Sequence, residues 1–344
     1  MELDQRKLSI LRAIIDEYII SANPVGSKAL SQRGDLGWSS ATIRNEMSEL
    51  EDLGYLEQPH TSAGRIPSDK GYRLYVDSMM QRAKLTPNEI SFMQSYCSRK
   101  VSGVESVMRE TARALSKLTK LPAFALLPQL SASRIQHVQL VPLSDGRALL
   151  VLVNKAGVAK NMVVRVPRGV SSSELAAMSE MITDCVKDCP MNKVCERLLC
   201  GMGDVLSDRR EYLTGILDAI SSGTNIDAHL VELVGATSML QYPEYSDVDK
   251  ARSFLAKVEE KDAFYELLKK ASEMEFTISI GGENTTDGLQ DCSIVTASYK
   301  IGGTPVGSFG VIGPTRMDYG KVVSVLDYMR LSLGDILMSM IKEE

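Results

Sequence analysis

The sequence predicts an α+β multidomain protein, with a helical N-terminal segment closed by a short hairpin, then strands, a mostly helical block, and strands again. Three observations carry this. The chain has 344 residues, beyond the ~100–200 of one ordinary domain. Apolar residues recur at helical spacing up to position 53 and then give way to a Gly- and Pro-rich stretch. Strand-like apolar runs appear after residue 134 and again after residue 275, with helical patterns between them. The balance of 44% hydrophobic and 24% charged residues is that of a globular chain. No apolar run approaches the ~18 residues of a membrane span. The start, Met1-Glu-Leu-Asp-Gln-Arg-Lys7, lacks the apolar core of a signal peptide, so a cytoplasmic chain is expected.

Leu8, Leu11, Ile14, Ile15, Tyr18 and Ile19 mark a helix over 3–20. Asn23-Pro24 ends it, because the residue before proline is pushed out of the helical region. Ser27 caps a short second helix over 28–32, which Gly34 closes. A turn ending in Ser39-Ser40 leads to a third helix over 41–53, stopped by Gly54. Residues 55–58 read as a strand, 59–64 as a loop, and Arg65-Ile-Pro67 as the returning strand. A fourth helix follows over 69–82. Helices followed by such a hairpin make residues 1–82 a winged helix-turn-helix.

Ile43, Met47, Leu50 and Leu53 share one face of the third helix and point inward. Ala41, Asn45 and Ser48 lie opposite, flanked by Thr42 and Arg44. The acids Glu49, Glu51 and Asp52 fall in the last turns, with Glu46 the exception. This polarity suits a recognition helix entering a major groove N-terminus first, where Arg pairs with guanine and Asn with adenine. Bulk charge gives no support. The net charge is -5, and residues 1–82 hold ten Lys or Arg against twelve Asp or Glu. DNA binding therefore requires Lys28, Arg44, His60, Arg65, Lys70 and Arg73 to gather on one side. Arg65, beside Gly64, is within reach of a phosphate or the minor groove. The same elements also suit a protein-interaction module, since an outward Arg-Asn pair is common on any solvated helix.

Residues 83–103 read as a linker with some helix, and a helix over 102–118 follows. Pro122 and Pro128 break the chain, and strands are expected over 137–142, 148–153 and 159–166. A helix over 171–188 precedes a mostly helical block over 191–275. Strands return over 276–280, 292–301 and 307–312, and an amphipathic helix over 319–341 closes the chain. The apolar side chains of the block, among them Leu198, Leu206, Leu213 and Leu217, exceed what it can bury alone, which favours pairing with a second copy.

No catalytic constellation can be assembled. Cys185, Cys189, Cys195 and Cys200 form no C-x-x-C pair and have no histidine among them, so they read as packing residues. Gly302-Gly303 begins a glycine-rich run, but Ser308-Phe309 follows Gly307 where a P-loop needs Lys; the Gly-Gly reads as a hairpin turn. Gly281-Gly-Glu-Asn-Thr-Thr-Asp-Gly288 reads as a solvated acidic loop, with a cation site as the alternative. Neither a cofactor nor a metal is expected. Two rivals stay open: a winged helix fused to an enzyme, and a repressor gated by a small molecule.

Several strings resemble one family. Asn23-Pro-Val-Gly-Ser-Lys-Ala-Leu30, Ser39-Ser-Ala-Thr-Ile-Arg-Asn-Glu-Met47, Leu50-Glu-Asp-Leu-Gly-Tyr-Leu56, His60-Thr-Ser-Ala-Gly-Arg-Ile-Pro67 and Gly310-Val-Ile-Gly-Pro-Thr-Arg-Met-Asp-Tyr319 are similar to the heat-inducible repressor HrcA family. The resemblance implies a dimeric repressor of chaperone operons that binds an inverted-repeat DNA operator (CIRCE), is kept active by a GroEL-type chaperonin and is released on heat stress. It implies a winged helix over 1–82 and a linker over 83–103. A GAF-like α/β domain over 104–190 and 276–344 is then split by an inserted, mostly helical dimerisation domain over 191–275. The DNA-contacting role carries over to Ser27, Lys28, Ser40, Thr42, Arg44, Asn45, Ser48 and Arg65 at the matched positions, and to Arg73 just beyond them, chosen by their facing.

Overall fold

The computed structural model describes residues 3–34, 36–60, 63–97, 104–127, 134–154, 159–167, 169–190, 193–201, 215–216, 231–286, 288–301 and 304–343. The fold is mixed α and β. Helices α1 (Gln5–Ser21), α2 (Ser27–Ser31) and α3 (Ser40–Asp52) are followed by β1 (Leu56–Glu57) and β2 (Ile66–Pro67), which pair antiparallel. Asp4 caps α1 and Ser39 caps α3, each accepting a first-turn backbone N–H. Ile10, Ile14, Ile43, Met47 and Leu50 form the core of this unit. Val25 bridges Arg65 through reciprocal backbone bonds of 2.9 Å, so the hairpin is tied to the α1–α2 connection. A Cβ at Gly64 would sit 2.3 Å from the Val25 carbonyl oxygen, which only glycine avoids.

The fourth helix is shorter than expected. α4 spans Asp69–Leu74, continues as a π-helical turn over Tyr75–Met79, and ends at Met80 in extended backbone. The expected linker contains a full helix, α5 (Pro87–Cys97). After α6 (Val104–Thr119) comes β3 (Ala123–Leu126), which the sequence reading passes over as a proline-broken stretch. All four of its residues are buried, so it lacks the alternation that marks a half-buried strand.

β3 lies between β7 and β10 in a five-stranded antiparallel sheet of order β7-β3-β10-β9-β8. The other strands are β7 (Val231–Val234), β8 (Phe276–Ile280), β9 (Cys292–Ile301) and β10 (Thr304–Pro314). Both faces are covered. α6 and the last helix, α11 (Tyr319–Glu343), pack with Tyr299, Phe309 and Val311 on one side. α9 (Val248–Glu259) and α10 (Lys261–Ala271) pack with Phe124, Ile294 and Ile312 on the other.

The early strands do not join this sheet. β4 (Ile135–Leu143), β5 (Arg147–Asn154) and β6 (Ala159–Arg165) form a three-stranded meander with α7 (Ser172–Val186) and α8 (Val194–Gly201) around a separate core. α7 covers the β4 edge: Thr183 Oγ1 and Ser179 Oγ accept from the Val138 and Leu140 amides at 3.0 and 2.8 Å. This corrects the expected boundaries. Strands assigned to the first half of the sheet domain stand apart, and residues 231–275, expected in the insertion, pack on the five-stranded sheet. Period alone cannot say which strands pair. Leu206, Leu213, Leu217 and the Gly302-Gly303 turn lie outside the described residues. Among the described residues, no helix is long and apolar enough to cross a membrane.

Candidate nucleic-acid interface

α3 is amphipathic in the expected sense. Ile43, Met47 and Leu50 are buried, while Ala41, Arg44, Asn45 and Ser48 are exposed. Two serines set its N-terminus. Ser39 Oγ accepts from the Thr42 amide at 3.1 Å and lies 2.9 Å from Thr42 Oγ1. Ser40 Oγ lies 3.0 Å from Ser27 Oγ, which ties the start of α2 to the start of α3. Ser27 is 7% exposed and opens α2 rather than capping it. Ser27, Ser40 and Thr42 thus position the two helices, while Lys28 stands exposed beside this junction.

Three acids of α3, Glu46, Glu49 and Glu51, are paired with bases. Lys7 Nζ lies 2.9 Å from both Glu46 and Glu49, and Arg6 lies 3.3 Å from Glu46. These partners, Glu49 foremost, raise the Lys7 ammonium above its ordinary range. Glu51 is paired in the same way: Arg65 Nε and Nη2 both lie 2.8 Å from its Oε2. Arg65, expected on the DNA, clamps the hairpin to α3 through this pair, with 18% of its side chain exposed. Lys70 donates to the Leu53 carbonyl at 2.8 Å and sits over the Tyr55 ring.

Arg73 is turned away as well. Its Nε donates to Glu283 Oε1 at 2.8 Å and its Nη2 to the Ile278 carbonyl at 2.6 Å, both in the five-stranded sheet domain. The hydrogen bonds of Glu283 are the main cause that raises this guanidinium further above its ordinary range. Arg6, Lys7, Arg12, Arg33, Arg65, Lys70, Arg73 and Arg82 each meet a carboxylate or a carbonyl. Among the described residues, Lys28 and Arg44 are the bases of this segment left without such a partner, and they belong to the joined starts of α2 and α3. Sequence reasoning missed the pairing of the others. The excess of acids over bases in residues 1–82 was the available signal. His60 is exposed in the hairpin loop, and Thr61 and Ser62 lie outside the described residues.

The family model described as "HrcA protein C terminal domain" matches residues 105–323. The "Heat-inducible transcription repressor HrcA" of Ruminiclostridium cellulolyticum is 40% identical over 352 residues, covering 99% of each chain. This chain belongs to the HrcA family. The HrcA of Brevibacillus brevis is likewise 40% identical over 337 residues, 98% of each chain, and that of Clostridium tetani is 40% identical over 347 residues, covering 100% of this chain and 97% of its own. The crystal structure of a hypothetical protein shares the fold at TM-score 0.66 and 23% identity, covering 98% of this chain and 100% of its own.

Proposed function

We propose that this protein is a sequence-specific, DNA-binding transcriptional repressor of heat-shock (chaperone) operons, not an enzyme. On this reading the first unit is a winged helix-turn-helix that reads DNA with α3, and the five-stranded sheet is a GAF-like domain. The observation that carries the proposal is the exposed set of Lys28, Arg44, Asn45 and Ser48, with every other Lys and Arg of residues 3–82 already engaged. Arg44 and Asn45 are the base readers, and Lys28 supplies a phosphate contact. Family membership supports the repressor role, because the relatives named above are heat-inducible transcription repressors.

The operator is an inverted repeat of the CIRCE type, bound by a two-fold dimer in the cytoplasm, with a GroEL-type chaperonin as modulator. For the dimer the outer face of the three-stranded sheet is the best surface. Val141, Leu149 and Val163 stand side by side across β4, β5 and β6, and Val163 is 58% exposed. Val163→Asp is expected to shift the protein from dimer to monomer in sedimentation without lowering its melting temperature as a monomer. An unchanged dimer would move the interface elsewhere.

The test of the function is binding to a CIRCE-type repeat and to a scrambled duplex across a salt series, with and without chaperonin. A preference for the repeat of ~10³-fold or more supports the repressor. Equal, salt-labile binding to both with chaperonin present contradicts it.

A further inference from the structure

The helical unit carrying α3 does not hang from a flexible linker. Its core runs without a break into that of the sheet domain, with Tyr72 packed 6.0 Å from Tyr319 between ring centroids. Polar contacts then fix its angle. At one end of the connection α4 rides on the C-terminus of α3: Ser68 Oγ donates to the Gly54 carbonyl at 2.7 Å and Lys70 to the Leu53 carbonyl at 2.8 Å. At the other end α4 is held by the turn after β8. Asp69 Oδ2 accepts from the Gly282 amide at 2.8 Å, and Arg73 chelates Glu283 while donating to the Ile278 carbonyl.

The turn is built for this contact. Gly281 has φ +52°, and a Cβ there would lie 2.0 Å from Asp69 Oδ2, so two independent demands require glycine. Asn284, 6% exposed, places its Nδ2 within hydrogen-bond distance of the carbonyls of Gly281, Leu289 and Cys292 at 3.0, 3.0 and 2.7 Å, its two N–H bonds shared among the three. Glu283 also accepts the Ile280 amide at 2.9 Å, so its carboxylate is held in place for Arg73. Within the acidic loop read from sequence as solvated, the first turn, Gly281–Glu283, is a socket for α4, while Thr285 and Gly288 stand exposed.

We propose that Asp69 and Arg73 are positioning residues: by clamping α4 to the Gly281–Glu283 turn they fix how each half of the dimer presents α3, and so set the half-site spacing that the dimer accepts. This rests on the repressor reading above. Each base pair inserted between half-sites moves one of them by about 3.4 Å and rotates it by about 35°. Heads fixed to the sheet domain cannot follow such a change, whereas loosened heads can. α4 lies at the C-terminal end of α3, away from Lys28 and Arg44, so loosening it leaves the DNA-facing side chains in place.

The experiment uses full-length protein and duplexes carrying a CIRCE-type repeat whose spacer is natural, or shortened or lengthened by one, two and five base pairs. Wild type is expected to lose at least about tenfold in affinity on the altered spacers, because both heads can no longer engage together. Arg73→Met is expected to bind the natural spacer several-fold more weakly and to show less than about threefold spread across all spacers. Arg73→Lys, which keeps the cation, should restore part of the preference. Gly281→Ala breaks the socket from the other side and gives the same flattening if Arg73→Met does not fold. An unchanged spacing profile, or an equal loss on every spacer, would overturn the proposal. So would tighter binding to the natural spacer, which would make the clamp an inhibitory contact. Failure of wild type to prefer any repeat over scrambled DNA is a separate result, and it removes the repressor reading itself.

Discussion

On the outer side of α3, Arg44 stands exposed, and among the described residues it forms no ion pair. On the side turned to the five-stranded sheet, Arg73, Arg82 and Arg316 each meet one: Glu283, Asp327 and Glu244. The residue type is the same and the work is opposite. A guanidinium already paired with an acid gives up that pairing before it can hold a phosphate, so the paired arginines assemble the molecule and the free one is left for a ligand. The difference lies in the acid that the fold brings up, not in the arginine.

Substitutions can break or sharpen this contrast. The largest expected effect is at Arg316, which is 9% exposed. Its Nη2 lies 3.2 Å from Glu244, and its Nη1 donates to the Ile19 carbonyl at 3.0 Å. Arg316→Ala leaves Glu244 and that carbonyl unpaired and is expected to cost about 2–3 kcal/mol, less than a fully buried pair because Glu244 stays partly solvated. Urea unfolding measures it, and a change under about 0.5 kcal/mol would put Arg316 with the free arginines. Arg65→Ala comes next. Losing its two bonds to Glu51 is expected to cost about 1–2 kcal/mol of stability. The salt dependence of DNA binding should stay unchanged. A slope smaller by about one would return Arg65 to the phosphates.

The smallest effect is a pH dependence. Hydrogen bonding to Lys321, the largest cause, and to Thr86 lowers the Glu89 carboxyl to about 2, and Arg73 lowers Glu283. Both folded-state values lie below the ordinary carboxylate range. Their contribution is therefore complete above about pH 4.5 and fades as pH falls through the lowered folded-state values, about 2 for Glu89. Melting temperature should fall between about pH 4.5 and about pH 2, and Lys321→Met should flatten part of that slope. An identical acid slope in the variant would mean that the Glu89–Lys321 pair adds nothing.

The helical unit was legible in sequence because its signals are local. The turn ending in Ser39-Ser40, the stop at Gly54, and the inward row of Ile43, Met47 and Leu50 each depend on neighbours within a few residues. Strand partnership was not legible, since β4 to β6 carry the same period whichever sheet they join. β3 was hidden because it is buried on both sides. Within the candidate site, Lys28, Arg44, Asn45 and Ser48 stand exposed as expected. Arg65 and Arg73 do not, because Glu51 is 14 residues away in sequence and Glu283 is 210 away. No helical or strand period reaches that far.

The most direct test of the account is Arg44→Ala on a CIRCE-type repeat and on scrambled DNA, with melting temperature measured alongside. If Arg44 reads a base, the variant loses about 1–3 kcal/mol on the repeat, changes little on scrambled DNA, and melts like wild type. Equal loss on both duplexes, or no loss on the repeat, would contradict the claim that this free arginine reads a base.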